Sequence, residues 1–428
     1  MFIVPPDRQG VKKRFAPTGA VCVWGWLLLP FAVIVPAVAC GAEQHGFVSV
    51  EDYYSKYSNS LYTQHLLTTR LRLDVSKLNG SGDMSFHFDG RDRLNLGSDA
   101  YGGSGKELRI DALNFEYSPG RIYLAAGRLW PKDIPLERID GVNMAYQSNG
   151  LGAGAFAGAH PDPYTETFST DRGATGAYAF IRKDKGSADL AFTHNTYKGG
   201  TDRQYMFGQV SYSLPHQLLF YGTATADIDQ ITNKAGLTSG IMELTYRPDF
   251  AKSITAGYNQ FRSIRLYKSM ASFMDSRQTA YYLSGNYRFK ERYGLYGRVE
   301  RQTSVFPSTQ LQPTKSTGFR AGLSVEDLFG TGFNSDASVS RTDGDSVKLM
   351  AYHVEVSRML RDSIQLMLNG SYSRSDYPAT GYASDVWTYG AFTYLRLAKV
   401  WVVYVSYERE QGADYSADRV MSSVSFKF

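Results

Sequence analysis

Arg419-Val420-Met421-Ser422-Ser423-Val424-Ser425-Phe426-Lys427-Phe428 closes the sequence. Val420, Ser422, Val424, Phe426 and Phe428 fall in one phase of a two-residue period, and Arg419, Met421, Ser423, Ser425 and Lys427 in the other. Side chains of an extended chain alternate between its faces, so this reads as a β-strand with one apolar and one polar surface. Working back along the chain, Trp401, Val403, Val405 and Tyr407 oppose Tyr404, Ser406 and Glu408, and Ile364, Leu366, Leu368 and Tyr372 oppose Gln365, Asn369 and Ser371. Tyr281, Leu283, Gly285, Tyr287 and Phe289 oppose Tyr282, Ser284, Asn286, Arg288 and Lys290, and Leu71, Leu73 and Val75 oppose Arg70, Arg72 and Asp74. Between Leu108 and Tyr117 the apolar phase shifts at Ala112-Leu113, which predicts a bulge.

Two kinds of connection separate these strands. Tight turns fall at Asn79-Gly80-Ser81-Gly82, Ser118-Pro119-Gly120, Asn149-Gly150, Asp184-Lys185-Gly186, Leu214-Pro215-His216, Lys290-Glu291-Arg292, Phe329-Gly330-Thr331-Gly332, Arg361-Asp362 and Ala398-Lys399. They alternate with longer loops at 94–105, 161–173, 263–278, 304–317 and 375–384. An antiparallel up-and-down barrel with short periplasmic turns and longer external loops predicts that alternation. About 20 to 22 strands are expected from Phe47 to Phe428 in one domain, the larger number requiring a first strand near Phe47 to Tyr54.

Composition agrees with a membrane barrel. The chain has 31 Tyr, 24 Phe and 41 Gly, with a mean hydropathy of −0.32. Such barrels show apolar residues to lipid only at every second position, so average hydropathy stays modest. After residue 42 no apolar run approaches the ~20 residues of a membrane-spanning helix. Arg8, Lys12, Lys13 and Arg14 precede an apolar run from Ala20 to Ala39, with Ala37-Val38-Ala39 as small residues for cleavage, so residues 1–42 are expected to be a signal peptide cut between Ala39 and Ala42. Cys40 directly after that site is a candidate for lipidation. The segment carries four basic residues and one acidic residue of a chain with net charge +5. Its loss leaves about +2, which removes support for a nucleic-acid partner.

The terminal strand ending on Phe428 resembles the insertion strand of bacterial outer-membrane barrels, with Val424, Phe426 and Phe428 as the recognised side chains. At the level of architecture the whole chain after residue 42 resembles an outer-membrane porin-type barrel. Ala125-Ala126-Gly127-Arg128-Leu129-Trp130 followed by Ile139-Asp140-Gly141-Val142 resembles a short pattern of several porin-like families. The resemblance implies the outer membrane of a Gram-negative bacterium, contact with its lipid and with the barrel-insertion machinery, and passive passage of small hydrophilic solutes or ions.

Candidate lumen-facing charges are Arg70, Arg72, Asp74, Asp89, Arg91, Arg93, Arg109, Glu116, Arg288, Arg298, Glu300, Glu408 and Glu410. Both signs mix, as a solvated wall requires, with an arginine excess in the first strands that would favour anions only at a constriction. No loop is long enough to read as a constriction loop, and no plug-sized segment precedes the first strand. The lumen is therefore open or filled by a partner. The second alternative resembles the barrel that sheathes a multihaem cytochrome for electron transfer across the outer membrane; a structural or adhesive barrel is the third.

Aromatic residues near strand ends, Tyr117, Trp130, Tyr246, Phe289, Tyr293, Trp387 and Trp401, fit interfacial girdles, while Tyr282, Tyr296 and Tyr404 would point inward as a sugar-stacking surface. The seven His residues are scattered, with no HExxH, so neither metal nor cofactor is expected. Placing His194 or His353 among nearby Ser residues as a hydrolase gives spacing without geometry, and no enzyme is expected.

Overall fold

A computed structural model describes residues 42–428 except 60–62, 98–105, 132–133, 135–136, 163–165, 232–233, 271–274 and 306–312. The signal segment and Cys40 lie outside the described residues. Twenty-two antiparallel strands form one sheet among the described residues, each paired with its neighbours in sequence. The first half comprises β1 (Glu43–Tyr57), β2 (Thr63–Ser76), β3 (Met84–Asn95), β4 (Lys106–Tyr117), β5 (Ile122–Leu129), β6 (Ile139–Ser148), β7 (Leu151–Ala159), β8 (Arg172–Lys183), β9 (Gly186–Tyr197), β10 (Gly200–Leu214) and β11 (Leu218–Ile228). The second half comprises β12 (Ala235–Asp249), β13 (Lys252–Arg262), β14 (Arg277–Phe289), β15 (Tyr293–Val305), β16 (Thr314–Val325), β17 (Phe333–Gly344), β18 (Lys348–Leu360), β19 (Ile364–Tyr377), β20 (Tyr382–Leu397), β21 (Trp401–Gln411) and β22 (Ser416–Lys427).

The sheet closes on itself. β22 pairs with β1 from Phe47↔Lys427 to Tyr57↔Ala417, and Gly46 and Phe428 exchange both backbone hydrogen bonds at 3.0 and 3.1 Å. Closure removes the unpaired strand edges that hydrocarbon would not tolerate. Gly46 is required by the approach of its neighbours: a Cβ there would lie 2.8 Å from Phe428 Cζ and closer still to the Arg72 carbonyl oxygen. The terminal ring thus covers the seam, beside Leu73, Val75, Phe86 and Phe88.

Register carries one phase around the cylinder. Tyr258, Tyr281, Leu283, Leu295 and Val299 share it with Phe319 and Leu323, and Tyr281, Leu283, Leu295 and Val299 are exposed although apolar. Two aromatic belts bound this surface. One contains Tyr246, Phe289 stacked on Tyr293 at 5.1 Å, and Trp401 against Phe426 at 4.8 Å. The other contains Tyr258 against Tyr281 at 5.1 Å and Tyr372 against Trp387 at 4.6 Å. From Tyr281 to Phe289 is eight residues, about 27 Å along a strand and about 20 Å along the normal after tilt, which suits a hydrocarbon layer.

The nine tight turns all lie at one end. Their strict alternation with long loops does not hold, because 198–199, 345–347, 378–381 and 412–415 at the other end are also short. The expected loop 375–384 is mostly strand: β19 and β20 keep pairing to Tyr377↔Tyr382, polar residues at a rim being free to extend a ladder into water. The phase shift in β4 is a bulge, Asp89 pairing with Ala112 and Gly90 with Ile110 so that Asp111 is left over.

Candidate functional site

A circular barrel of 22 strands would measure about 44 Å between opposite backbones, given strands ~4.8 Å apart and tilted ~40°. Such a lumen needs narrowing to select solutes, and residues between β5 and β6 pack against its inner wall. Of the connection between β5 and β6, Ile134 and Glu137 lie against the inner face of β7 to β10. Ile134 is buried in one cluster with Leu129, Ile139, Phe156, Tyr178, Phe180, Tyr205 and Phe207. Phe156, Tyr178, Phe180, Tyr205 and Phe207 occupy the phase opposite to the exposed Leu190, Phe192 and Met206, so the cluster lies on the lumenal side.

Glu137 fastens this loop. Its side chain is 1% exposed, yet Oε1 accepts hydrogen bonds from Tyr205 Oη at 2.6 Å and Asn195 Nδ2 at 2.9 Å, and Oε2 faces His160 Nε2 at 3.4 Å. Burial pushes the Glu137 carboxyl up, but the bonds from His160, Tyr205 and Asn195 outweigh it and hold the group below the usual carboxylate range. The bond to Glu137 in turn raises the His160 imidazole above its ordinary value, against burial and the nearby Arg172 charge.

The porin-like sequence pattern explains how the loop is launched. Arg128 and Asp140 are register partners and form a two-pronged ion pair, Nε to Oδ1 and Nη2 to Oδ2, both 2.6 Å. Arg128 Nη1 also donates to the carbonyls of Ile110 at 2.8 Å and Glu166 at 2.7 Å, tying β5 to β4 and to the β7–β8 loop. Gly127, at φ +123, has a backbone conformation that other residues rarely adopt, and a Cβ there would strike the Leu113 carbonyl oxygen.

Charges converge where these loops meet the wall. Arg70, Arg91 and Arg109 are register partners on β2, β3 and β4, a row of three cations. Asp89 binds Arg70 through two bonds at 2.8 and 2.5 Å. Asp111 binds Arg109 at 2.5 Å and Arg138 at 3.2 Å. Glu166 reaches Arg109 at 3.3 Å and also pairs with Arg138. Arg91 makes no ion pair among the described residues.

Other sequence candidates sit elsewhere on the wall. Arg72 pairs with Asp74 at 3.0 Å, and His87 bridges Asp74 at 2.7 Å and Glu116 at 3.7 Å; Arg93 meets Glu107 at 3.5 Å. Arg288 pairs with Glu326 and Arg298 with Glu300, while Glu408 and Glu410 both hold Arg419, at 2.5 and 2.9 Å. Tyr282 and Tyr296 do not offer free rings: Tyr282 lies against Gly257 with the Arg298 guanidinium 3.8 Å from its centroid, and Tyr296 lies against Gly322 and donates to Asp336 at 2.8 Å. Glu137, His160, Arg138 and Glu166 were not among the sequence candidates. The only signal near them is the Gly-Arg and Asp-Gly pattern that brackets residues 130–138.

No protein-family model and no curated protein matches the chain. Among solved structures, a BenF-like porin from Pseudomonas fluorescens Pf-5 aligns over 90% of this chain and 99% of its own, with TM-score 0.50 and 10% identity. OpdK from Pseudomonas aeruginosa aligns over 90% and 99%, with TM-score 0.47 and 10% identity. Acinetobacter baumannii OccAB4 aligns over 90% and 98%, with TM-score 0.47 and 9% identity. The likeness is one of fold. The chain shares a closed β-barrel fold with that BenF-like porin, and its lumenal chemistry is read from its own residues.

Proposed function

We propose that this protein is an outer-membrane channel for passive passage of small hydrophilic solutes or ions. The observation that carries the reading is a closed barrel, apolar outside and charged inside, with Ile134 and Glu137 of the β5–β6 connection fastened to the inner wall. A wall lined with paired charges solvates a polar solute at little cost, and selectivity is set where the passage is narrowest. There the arginine row is largely neutralised by Asp89, Asp111 and Glu166, so a mild anion preference centred on Arg91 is expected. Ile134 and Glu137 occupy part of the inner wall that a sheathed redox partner would touch, which favours a solute channel over a sheath. No residue constellation supports an enzyme reading. The test is reconstitution: purified, folded barrel in liposomes admits small sugars and carboxylates and gives stepwise conductance in planar bilayers. A folded barrel that does neither overturns the proposal, and co-purification with a haem protein would point to the sheath.

A further inference from the structure

Six consecutive strands each carry one cation at the long-loop rim in the outward phase: Arg277, Arg301, Lys315, Arg341, Lys348 and Arg374 on β14 to β19. Register sets that phase. Arg301 pairs with Tyr281, Arg341 with Phe319, and Arg374 with Met350, and Lys315 and Lys348 lie two residues from Thr317 and Met350 in the same series. All six are exposed. They stand beside or just beyond the aromatic belt of Tyr258, Tyr281, Tyr352 and Tyr372, at the level where hydrocarbon gives way to headgroups.

A polar rim is expected of any membrane barrel, but here the signs are unequal. In the same phase on these strands the acids are Asp343 and Asp376, each held by the arginine two residues before it, at 2.8 and 3.1 Å. Each such pair adds little stability and carries no net charge, so the excess of cations rests on Arg277, Arg301, Lys315 and Lys348. Arg277 and Arg301 make no ion pair among the described residues, and Lys315 meets the Asp345 carboxylate through its backbone N–H, at 2.7 Å. On β20 to β22 and β1 the outward rim is balanced or acidic, with Asp385, Arg409, Asp418, Lys56 and Asp52. The excess of cations therefore ends at β19, and the arc is about 24 Å wide at ~4.8 Å per strand.

We propose that this arc binds the phosphorylated headgroups of lipids in the leaflet that faces the long loops. The proposal rests on the membrane placement above and is independent of conduction. A lipid supplies what the arc lacks: phosphates at headgroup depth, with acyl chains lying on the apolar belt beneath. Charge attraction of this kind amounts to about fivefold in binding per basic residue and is screened by salt.

The experiment is native mass spectrometry of the detergent-solubilised full chain, mixed with equimolar diphosphorylated lipid A and phosphatidylcholine. Wild type is expected to retain lipid A at least about tenfold over phosphatidylcholine, falling with added salt. The R301Q/K315Q/K348Q variant should lose that preference, while K399Q at the opposite end keeps it. Inorganic phosphate at millimolar concentration should not displace the lipid; if it does, a free-phosphate site replaces the lipid site and the proposal falls. It also falls if the triple variant, shown folded by its heat-dependent gel mobility, keeps the preference, or if wild type has none. Conductance of the same triple variant reports separately on the channel reading.

Discussion

Replacing Glu137 by alanine should release the β5–β6 connection from the inner wall. The carboxylate accepts two hydrogen bonds from groups that are otherwise buried, at 2.6 and 2.9 Å, and faces His160 at 3.4 Å. Hydrogen bonds to a charged group contribute about 1.5–3 kcal/mol each, and their loss leaves Tyr205 Oη and Asn195 Nδ2 without an acceptor. A total near 4 kcal/mol follows, or about a thousandfold rise in the detached population at 1.4 kcal/mol per decade. Ile134, 1% exposed, still opposes release with about 1.5–3 kcal/mol of apolar burial. Single-channel recording should therefore show frequent excursions to a larger conductance, and hydrogen exchange across 130–138 should quicken. Glu137→Gln keeps an acceptor without the charge and should fall between the two. Wild-type traces and unchanged exchange in a folded Glu137→Ala barrel would refute the latch.

The pair also predicts a pH window. Glu137 is depressed relative to its ordinary 4.5, so its contribution is complete above that value and is lost as pH falls through the lower folded pKa. His160 is raised relative to 6.5, so its contribution is complete below that value and fades as pH rises through the higher folded pKa. The latch is strongest between about 4.5 and 6.5. Above it the bonds from Tyr205 and Asn195 persist, so loosening on the alkaline side should be the smaller effect.

Arg91→Glu puts an acid between Arg70 and Arg109 and should turn a mild anion preference toward cations, read as a reversal-potential shift under a salt gradient; an unmoved potential would remove Arg91 from the selective path. Arg128→Lys loses the two-pronged bond to Asp140 and at least one carbonyl contact, and should weaken the loop root by about 1.5–3 kcal/mol, seen as increased open-channel noise without loss of the barrel. Gly46→Val drives a side chain into Phe428 and the Arg72 carbonyl, and should destabilise the closing seam by about 1–3 kcal/mol, lowering the temperature at which the folded band disappears from semi-native gels. Phe428→Ala in the same background should recover part of that loss.

Strand number, phase and the closing pair were legible because each depends on a two-residue period that is written along the chain. Even the β4 bulge appeared as a break in that period, at Ala112-Leu113. Strand length at the long-loop end was less legible, since beyond the hydrocarbon both faces meet water and nothing in residues 375–384 marks where pairing stops.

The docking of the β5–β6 connection on the inner wall could not be read in this way. Glu137 meets partners 58 and 68 residues away, and no local pattern encodes which distant strand a short loop will cross. The charges beside it come from β2, β3, β4 and two loops, brought together by the fold. The sequence by itself determined that the chain alternates toward two solvents and must close into a barrel. Which wall the β5–β6 connection meets, which arginine makes no ion pair among the described residues and which strands carry the cationic arc were decided only by tertiary structure, because these depend on register summed around 22 strands and a one-residue slip would exchange inside for outside.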